Sequence, residues 1–292
     1  MPRILDLAKP AVAAHVEAEI IRLVERYELD LFRLDYNVQP LEGGFNARDG
    51  VAENSLWRQT EAIYAIFDRV ARRFPHVQLE NCSSGGGRTD LAMVSRFTTT
   101  WVSDWMRPPR TVRILNGLSL VLPPEYINRL AGMSMDGSAR ASLDLLMHQA
   151  ILAHPTLSGL TPALAQANPT ALACVRRYIA LYKRFIRPFQ HEALVFHHTP
   201  VLTGADGNGW CALELAAPDR GRVAAGVFRL TDAPGEEYRL RLRGLDAGGR
   251  YRVTCEPDGG TWTATGHALA DDGLAVRLPT PLTSRLFLVE RA

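Results

Sequence analysis

The chain has no apolar run approaching the ~20 residues that a membrane-spanning helix needs, and no basic stretch followed by an apolar one at Met1. These absences argue against a membrane protein and against a secretory leader. Cysteine is scarce and dispersed: Cys82, Cys174, Cys211 and Cys255 form no CxxC pair and have no histidine at finger spacing. That disfavours a zinc module and a disulfide framework, and a reducing, cytoplasmic location is expected. An excess of one charge is missing too. A net charge of +2 over 292 residues supplies no basic stripe for nucleic acid. Lysine occurs only at Lys9 and Lys183, and the arginines are scattered among the acids, a pattern that reads as GC-rich coding rather than as a binding surface. Asn81-Cys82-Ser83 has the form of a glycosylation acceptor, but nothing else points to secretion.

What is present is globular composition, 47% apolar and 22% charged, with length for one large or two medium domains. The first two-thirds alternates helical stripes with short apolar segments. Pro10 opens a helix with Val12, Val16, Ile20, Leu23, Val24 and Tyr27 on one face. Segments 29–37 and 77–82 read as strands, separated by a helix carrying Trp57, Ile63, Ile66, Phe67 and Val70. Further strands are expected over 98–104, 118–122 and 151–157, with a helix around 142–149 and another behind Asn168-Pro169. Such alternation predicts a parallel sheet covered by helices, open or closed into a barrel. From about Gln190 the period changes to two. Tyr238, Leu240 and Leu242 alternate with arginines, as do Tyr251, Val253 and Cys255, and Asp-Gly-rich turns recur at 246–249, 258–260 and 271–273. A small antiparallel β-sandwich follows from that pattern.

In parallel α/β folds ligands bind at the carboxyl ends of the strands. Asp35 with Asn37, Cys82 with the glycines behind it, and Asp104 all fall there. Two carboxylates from different strands suit glycoside hydrolysis; they equally suit strand ends that cap turns. Ser83-Ser84-Gly85-Gly86-Gly87-Arg88 lacks both the P-loop ending and dinucleotide spacing, leaving close backbone approach to a ligand or a plain turn. Trp101 and Trp105 flank Asp104 and could stack on sugar rings, with at least one expected in the core. His197-His198 would point to opposite faces of a strand, against a shared metal. Residues 204–209 have only a faint likeness to a calcium loop and read as a hairpin loop. No GxSxG motif occurs.

Phe32-Arg33-Leu34-Asp35-Tyr36-Asn37, then Glu80 through Asp90, then Thr100-Trp101-Val102-Ser103-Asp104 strongly resemble α-galactosidases of glycoside hydrolase family 36. The resemblance implies an α/β fold: strands four to eight of a (β/α)8 TIM barrel over residues 1–190, then an antiparallel β-sandwich over 191–292. It implies retaining hydrolysis of terminal α-galactosides without metal or organic cofactor, Asp35 acting as nucleophile and Asp104 as acid/base. Arg33, Asn37, Cys82, Gly85 and Trp101 are implied to line the sugar site. Arg33 stands where the family has lysine, which changes reach and donor geometry, and Trp105-Met106-Arg107 departs from the usual acidic continuation after the acid/base. Barrel strands one to three and the family's N-terminal sandwich have no counterpart here, so a homo-oligomer or a complementing N-terminal chain is the expected partner. The rival expectations are a non-catalytic fragment, half of a split glycosidase, or an α-N-acetylgalactosaminidase.

Overall fold

Proline at a first helical position presets φ and gives up an amide that would have no partner there. Pro10 does this for α1 (Pro10–Tyr27), which Glu28 closes in the left-handed region at φ 49°. The computed structural model describes residues 4–38, 47, 48, 50–52, 55–132, 140–202, 204 and 208–292, and the chain divides into two compact units, Met1–Asp104 and Trp105–Ala292.

In the first unit α1 is followed by β1 (Leu31–Asp35), the two-residue strands β2 (Ala47–Arg48) and β3 (Val51–Ala52), α2 (Ser55–Arg73), β4 (Gln78–Cys82), α3 (Leu91–Val94) and β5 (Thr99–Thr100). Strands β1, β4 and β5 form a parallel sheet in that order. Ile20 and Val24 of α1 pack with Ile63, Ile66, Phe67 and Val70 of α2, each buried side chain contributing about 1.5–3 kcal/mol. Arg69–Glu17 and Arg73–Glu25 pairs lace the two helices together at 2.6 and 2.7 Å. Phe32, Leu34 and Leu79 join this core. Because side chains alternate along a strand, Arg33, Asp35, Glu80 and Cys82 are turned to the opposite face. The register pairs Arg33 with Glu80 and Asp35 with Cys82.

The second unit begins with α4 (Arg110–Leu118), β6 (Asn128–Gly132), α5 (Leu143–Ile151), β7 (His154–Ser158), α6 (Pro162–Ala167) and α7 (Pro169–Leu181). A π-turn over Tyr182–Ile186 leads into α8 (Arg187–Gln190). β6 and β7 pair in parallel. The rest is β8 (Leu194–His197), β9 (Trp210–Ala216), β10 (Arg222–Arg229), β11 (Glu237–Leu240), β12 (Arg250–Glu256), β13 (Gly260–Thr265), α9 (Gly266–Asp271), β14 (Leu274–Arg277) and β15 (Thr283–Arg291). A six-stranded antiparallel sheet in the order β13-β12-β15-β10-β9-β8 accompanies a two-stranded β11-β14 ribbon, and both contribute to one core with Tyr251, Leu240, Val276 and Val289 at its centre. Among the described residues no helix is long and apolar enough to cross a membrane.

Three strand expectations need correction. Residues 118–122 are the end of α4 and its closing turn: Leu122 N–H bonds to Leu118 O at 2.8 Å, as in a helix. The apolar spacing Val112, Leu115, Leu122 is helical, while Leu120 and Val121 are exposed. The strand lies instead at Asn128–Gly132, where buried Asn128 and Arg129 hide it from a reading based on apolar runs. The segment 151–157 begins as helix, and its strand starts only at His154. The segment 98–104 pairs as a strand only at Thr99–Thr100. Part of the loop at 204–209 lies outside the described residues.

Candidate active site

The polar face of the first unit is organised by Arg33. Its Nη1 stands 2.9 Å from Glu80 Oε1 and its Nη2 3.5 Å from Asp35 Oδ2. The same Nη2 donates to Cys82 Sγ at 2.9 Å, and the guanidinium lies over the Trp101 ring with 4.2 Å to its centroid. Trp101 in turn donates its Nε1–H to Asp104 Oδ1 at 2.8 Å. One cation therefore stands 3.5 Å from Asp35 and is linked to Asp104 through an indole. Burial pushes the Cys82 thiol up, partly offset by the Arg33 charge and the Gly85 amide directed at the sulfur; Cys82 here is a neutral acceptor rather than a thiolate.

The glycine run serves close approach. A Cβ on Gly85 would lie 2.3 Å from the Asp104 backbone nitrogen, and one on Gly86 would lie 2.5 Å from Val102 O. Both residues also adopt positive φ, 68° and 103°, which favours glycine. After Trp101 N–H has bonded to Asn81 O at 2.7 Å, the chain leaves the strand ladder and Asp104 comes to rest on Gly85. Arg88 fastens the other side. It donates to the carbonyls of Tyr36 and, at 2.9 Å, Val38, stacks over the Tyr36 ring at 3.8 Å, and is lowered in pKa by burial. Asn37 Oδ1 accepts from Ser84 N–H at 2.7 Å, so its carbonyl oxygen orders the loop.

All seven residues singled out from the sequence, Arg33, Asp35, Asn37, Cys82, Gly85, Trp101 and Asp104, belong to this one unit. Glu80 and Arg88 were not singled out. Glu80 was legible as the residue two before Cys82, hence on its face; Arg88 carried no signal beyond its place in the glycine run. Neither tryptophan is core: Trp101 is half-buried against Arg33, and Trp105 is 42% exposed with Arg110 stacked on it at 3.8 Å. The adjacent histidines go separate ways, His197 to Ser119 at 3.0 Å and His198 to Glu214 at 2.7 Å. Among the described residues no cluster of potential metal ligands occurs. On the helix side of the sheet a cavity of about 420 Å³ has mostly apolar walls, including Leu34, Ile63 and Phe67.

The site thus holds one carboxylate at the end of β1 and a second, backed by an indole hydrogen bond, on the segment that follows β5. The melibiase family profile matches residues 2–191, and the glycosyl hydrolase family 36 C-terminal domain matches residues 210–289. The chain belongs to the melibiase family. It is 25% identical over 320 aligned residues to the α-galactosidase of Escherichia coli, covering 99% of this chain and 42% of that protein. Against α-galactosidase AgaA of Geobacillus stearothermophilus identity is 26%, covering 86% and 34%. The crystal structure of the Lactobacillus brevis α-galactosidase superposes with a TM-score of 0.83 at 22% identity, over 100% of this chain and 40% of that one. AgaA in complex with raffinose gives 0.79 at 23%, over 99% and 39%. The chain thus spans about two-fifths of the length of these relatives or less.

Proposed function

We propose that the chain carries the catalytic carboxylates of a retaining α-galactosidase, with Asp35 as nucleophile and Asp104 as acid/base. The observation that carries this reading is the linkage Asp35–Arg33–Trp101–Asp104, which ties a carboxylate at the end of β1 and one on the segment after β5 to one cation–indole unit. Asp35 attacks the anomeric carbon as the carboxylate. Asp104 accepts the Trp101 N–H on Oδ1, so its own proton sits on Oδ2, the oxygen left to reach the leaving group. It protonates that oxygen in the first step and draws a proton from water in the second. Retention requires the two carboxyl groups to work roughly 5–5.5 Å apart.

Terminal α-galactosides are the substrates, in line with the raffinose and stachyose complexes of the Geobacillus relative. Arg33, Asn37, Cys82, Gly85 and Trp101 form the sugar side, Arg33 already engaged by Glu80 and Cys82. Residues 1–190 correspond to barrel strands four to eight and 191–292 to a C-terminal sandwich, so a complementing chain, or further sequence of the same protein, supplies the rest of the pocket. Four free cysteines favour a reducing, cytoplasmic setting.

The test is nucleophile rescue in a preparation that turns over p-nitrophenyl α-galactoside. Asp35→Ala abolishes turnover, and added azide restores it with β-galactosyl azide as product. Azide product of α configuration would move the nucleophile to the other carboxylate.

A further inference from the structure

Glu80 takes no part in the two steps above, yet it is a carboxylate 5% exposed on β4, and burying such a group is unfavourable unless it is paired. Its pairing is with Arg33 Nη1 at 2.9 Å, across the register that sets the two residues opposite one another. The same guanidinium comes no closer to Asp35 Oδ2 than 3.5 Å, outside the roughly 2.7–2.9 Å of a charge-assisted hydrogen bond. An arginine between two carboxylates divides itself between them. The Glu80 side chain is 7% exposed and that of Asp35 48%, so the attraction to Glu80 is the less screened of the two and takes the close contact. Cys82 Sγ holds Nη2 at 2.9 Å and Trp101 covers one face of the guanidinium, which fixes its plane while Glu80 fixes its reach.

We propose that Glu80 is a positioning residue that holds the Arg33 guanidinium back from Asp35 and so keeps the nucleophile out of a closed ion pair. The proposal rests on the reading of Asp35 as nucleophile. Its logic is differential stabilisation. A hydrogen-bonded ion pair stabilises the free carboxylate, and that stabilisation is lost as the carboxylate charge passes into the new C–O bond, which raises the barrier. A guanidinium held slightly off leaves the oxygen lone pairs less engaged.

The experiment is Glu80→Gln, isosteric and uncharged, read in two ways, by structure on the chain itself and by labelling in a preparation that turns over p-nitrophenyl α-galactoside. In its crystal structure the Arg33–Asp35 contact closes to about 2.8 Å. In the kinetics of covalent labelling by an α-galactose-configured cyclophellitol aziridine, the inactivation rate constant falls about tenfold while the binding constant holds, as the Coulomb gain of that closure implies. In an Arg33→Gln background the same substitution has no further effect on labelling. An E80Q structure with the contact still at 3.5 Å, or equal slowing with and without Arg33, overturns the proposal. Should E80Q not fold, Glu80→Asp withdraws the carboxylate by one methylene and changes both readouts in the same direction by less. A wild-type preparation that turns over p-nitrophenyl α-galactoside and yet is left unlabelled on Asp35 overturns the nucleophile reading and not the positioning, which the E80Q contact distance tests by itself.

Discussion

At the scale of single residues, Trp101 does two separable things: its face carries the Arg33 guanidinium and its Nε1–H fixes one oxygen of Asp104. Trp101→Phe keeps most of the stacking surface and deletes the hydrogen bond. A hydrogen bond to a charge-bearing carboxyl group contributes about 1.5–3 kcal/mol, so turnover limited by protonation falls at least about tenfold. The loss depends on the leaving group. Raffinose, whose sugar alkoxide needs the proton, is slowed by this factor, whereas 2,4-dinitrophenyl α-galactoside, whose phenolate leaves unaided, is nearly unaffected; equal slowing of both substrates would remove Asp104 from the acid role. Asp35 stood out because it ends a strand that could be found, whereas Asp104 was named from an expected strand that in fact pairs only at Thr99–Thr100. The Arg33–Glu80 pair was not legible, since it depends on the parallel register of two strands 47 residues apart in sequence, information that local pattern lacks.

At the scale of elements, apolar periodicity found α1, α2 and α7 because each carries a stripe, and Pro10 and the Asn168-Pro169 cap are in place at the starts of α1 and α7; α5 was expected around 142–149 and is buried on all sides from Leu145 to Ile151, with Ser142 as its cap. Strands with polar interiors were the failures. In β6 Asn128 and Arg129 are buried, the latter pushed down to about 10 by burial and satisfied by carbonyls of Asn128 and Thr111 at 2.8 and 3.4 Å. β9 shows the same principle in the sandwich. Glu214 is fully buried within it, accepting from the amides of Arg243 and Gly244 at 3.0 and 2.8 Å and pairing with His198 at 2.7 Å. This carboxylate replaces water for the 243–244 turn. Glu214→Ala leaves two amides and an imidazole without it and costs about 3 kcal/mol, measured as a lower urea midpoint with the slope unchanged. A change within 0.5 kcal/mol, the range of ordinary surface substitutions, would mean that water fills the role.

For the molecule as a whole, pH is the variable that separates packing from chemistry, because His148 lies in the second unit and has no place in the proposed reaction. It is fully buried where α5, α7 and β15 meet. Tyr178 donates its hydroxyl hydrogen to Asp144 at 2.6 Å, so its oxygen accepts from His148 Nε2–H at 2.9 Å, and Nδ1 is left to accept from Ser284 at 2.8 Å. The network therefore requires the neutral ring. Burial, with smaller contributions from Arg177 and Arg285, lowers the folded-state pKa from 6.5 to about 3. Above pH 6.5 both folded and unfolded chains hold a neutral ring and the group contributes no pH dependence. Between 6.5 and about 3 the unfolded chain takes up a proton that the folded chain refuses, so stability falls as pH falls, by about 1.4 kcal/mol per unit. Between pH 7.5 and 5 the wild-type chain accordingly loses about 2 kcal/mol more than His148→Gln, whose baseline is lower but lacks this proton. Urea unfolding at the two pH values measures the difference, and parallel losses in the two proteins would show that a proton reaches Nδ1 without unfolding the hub.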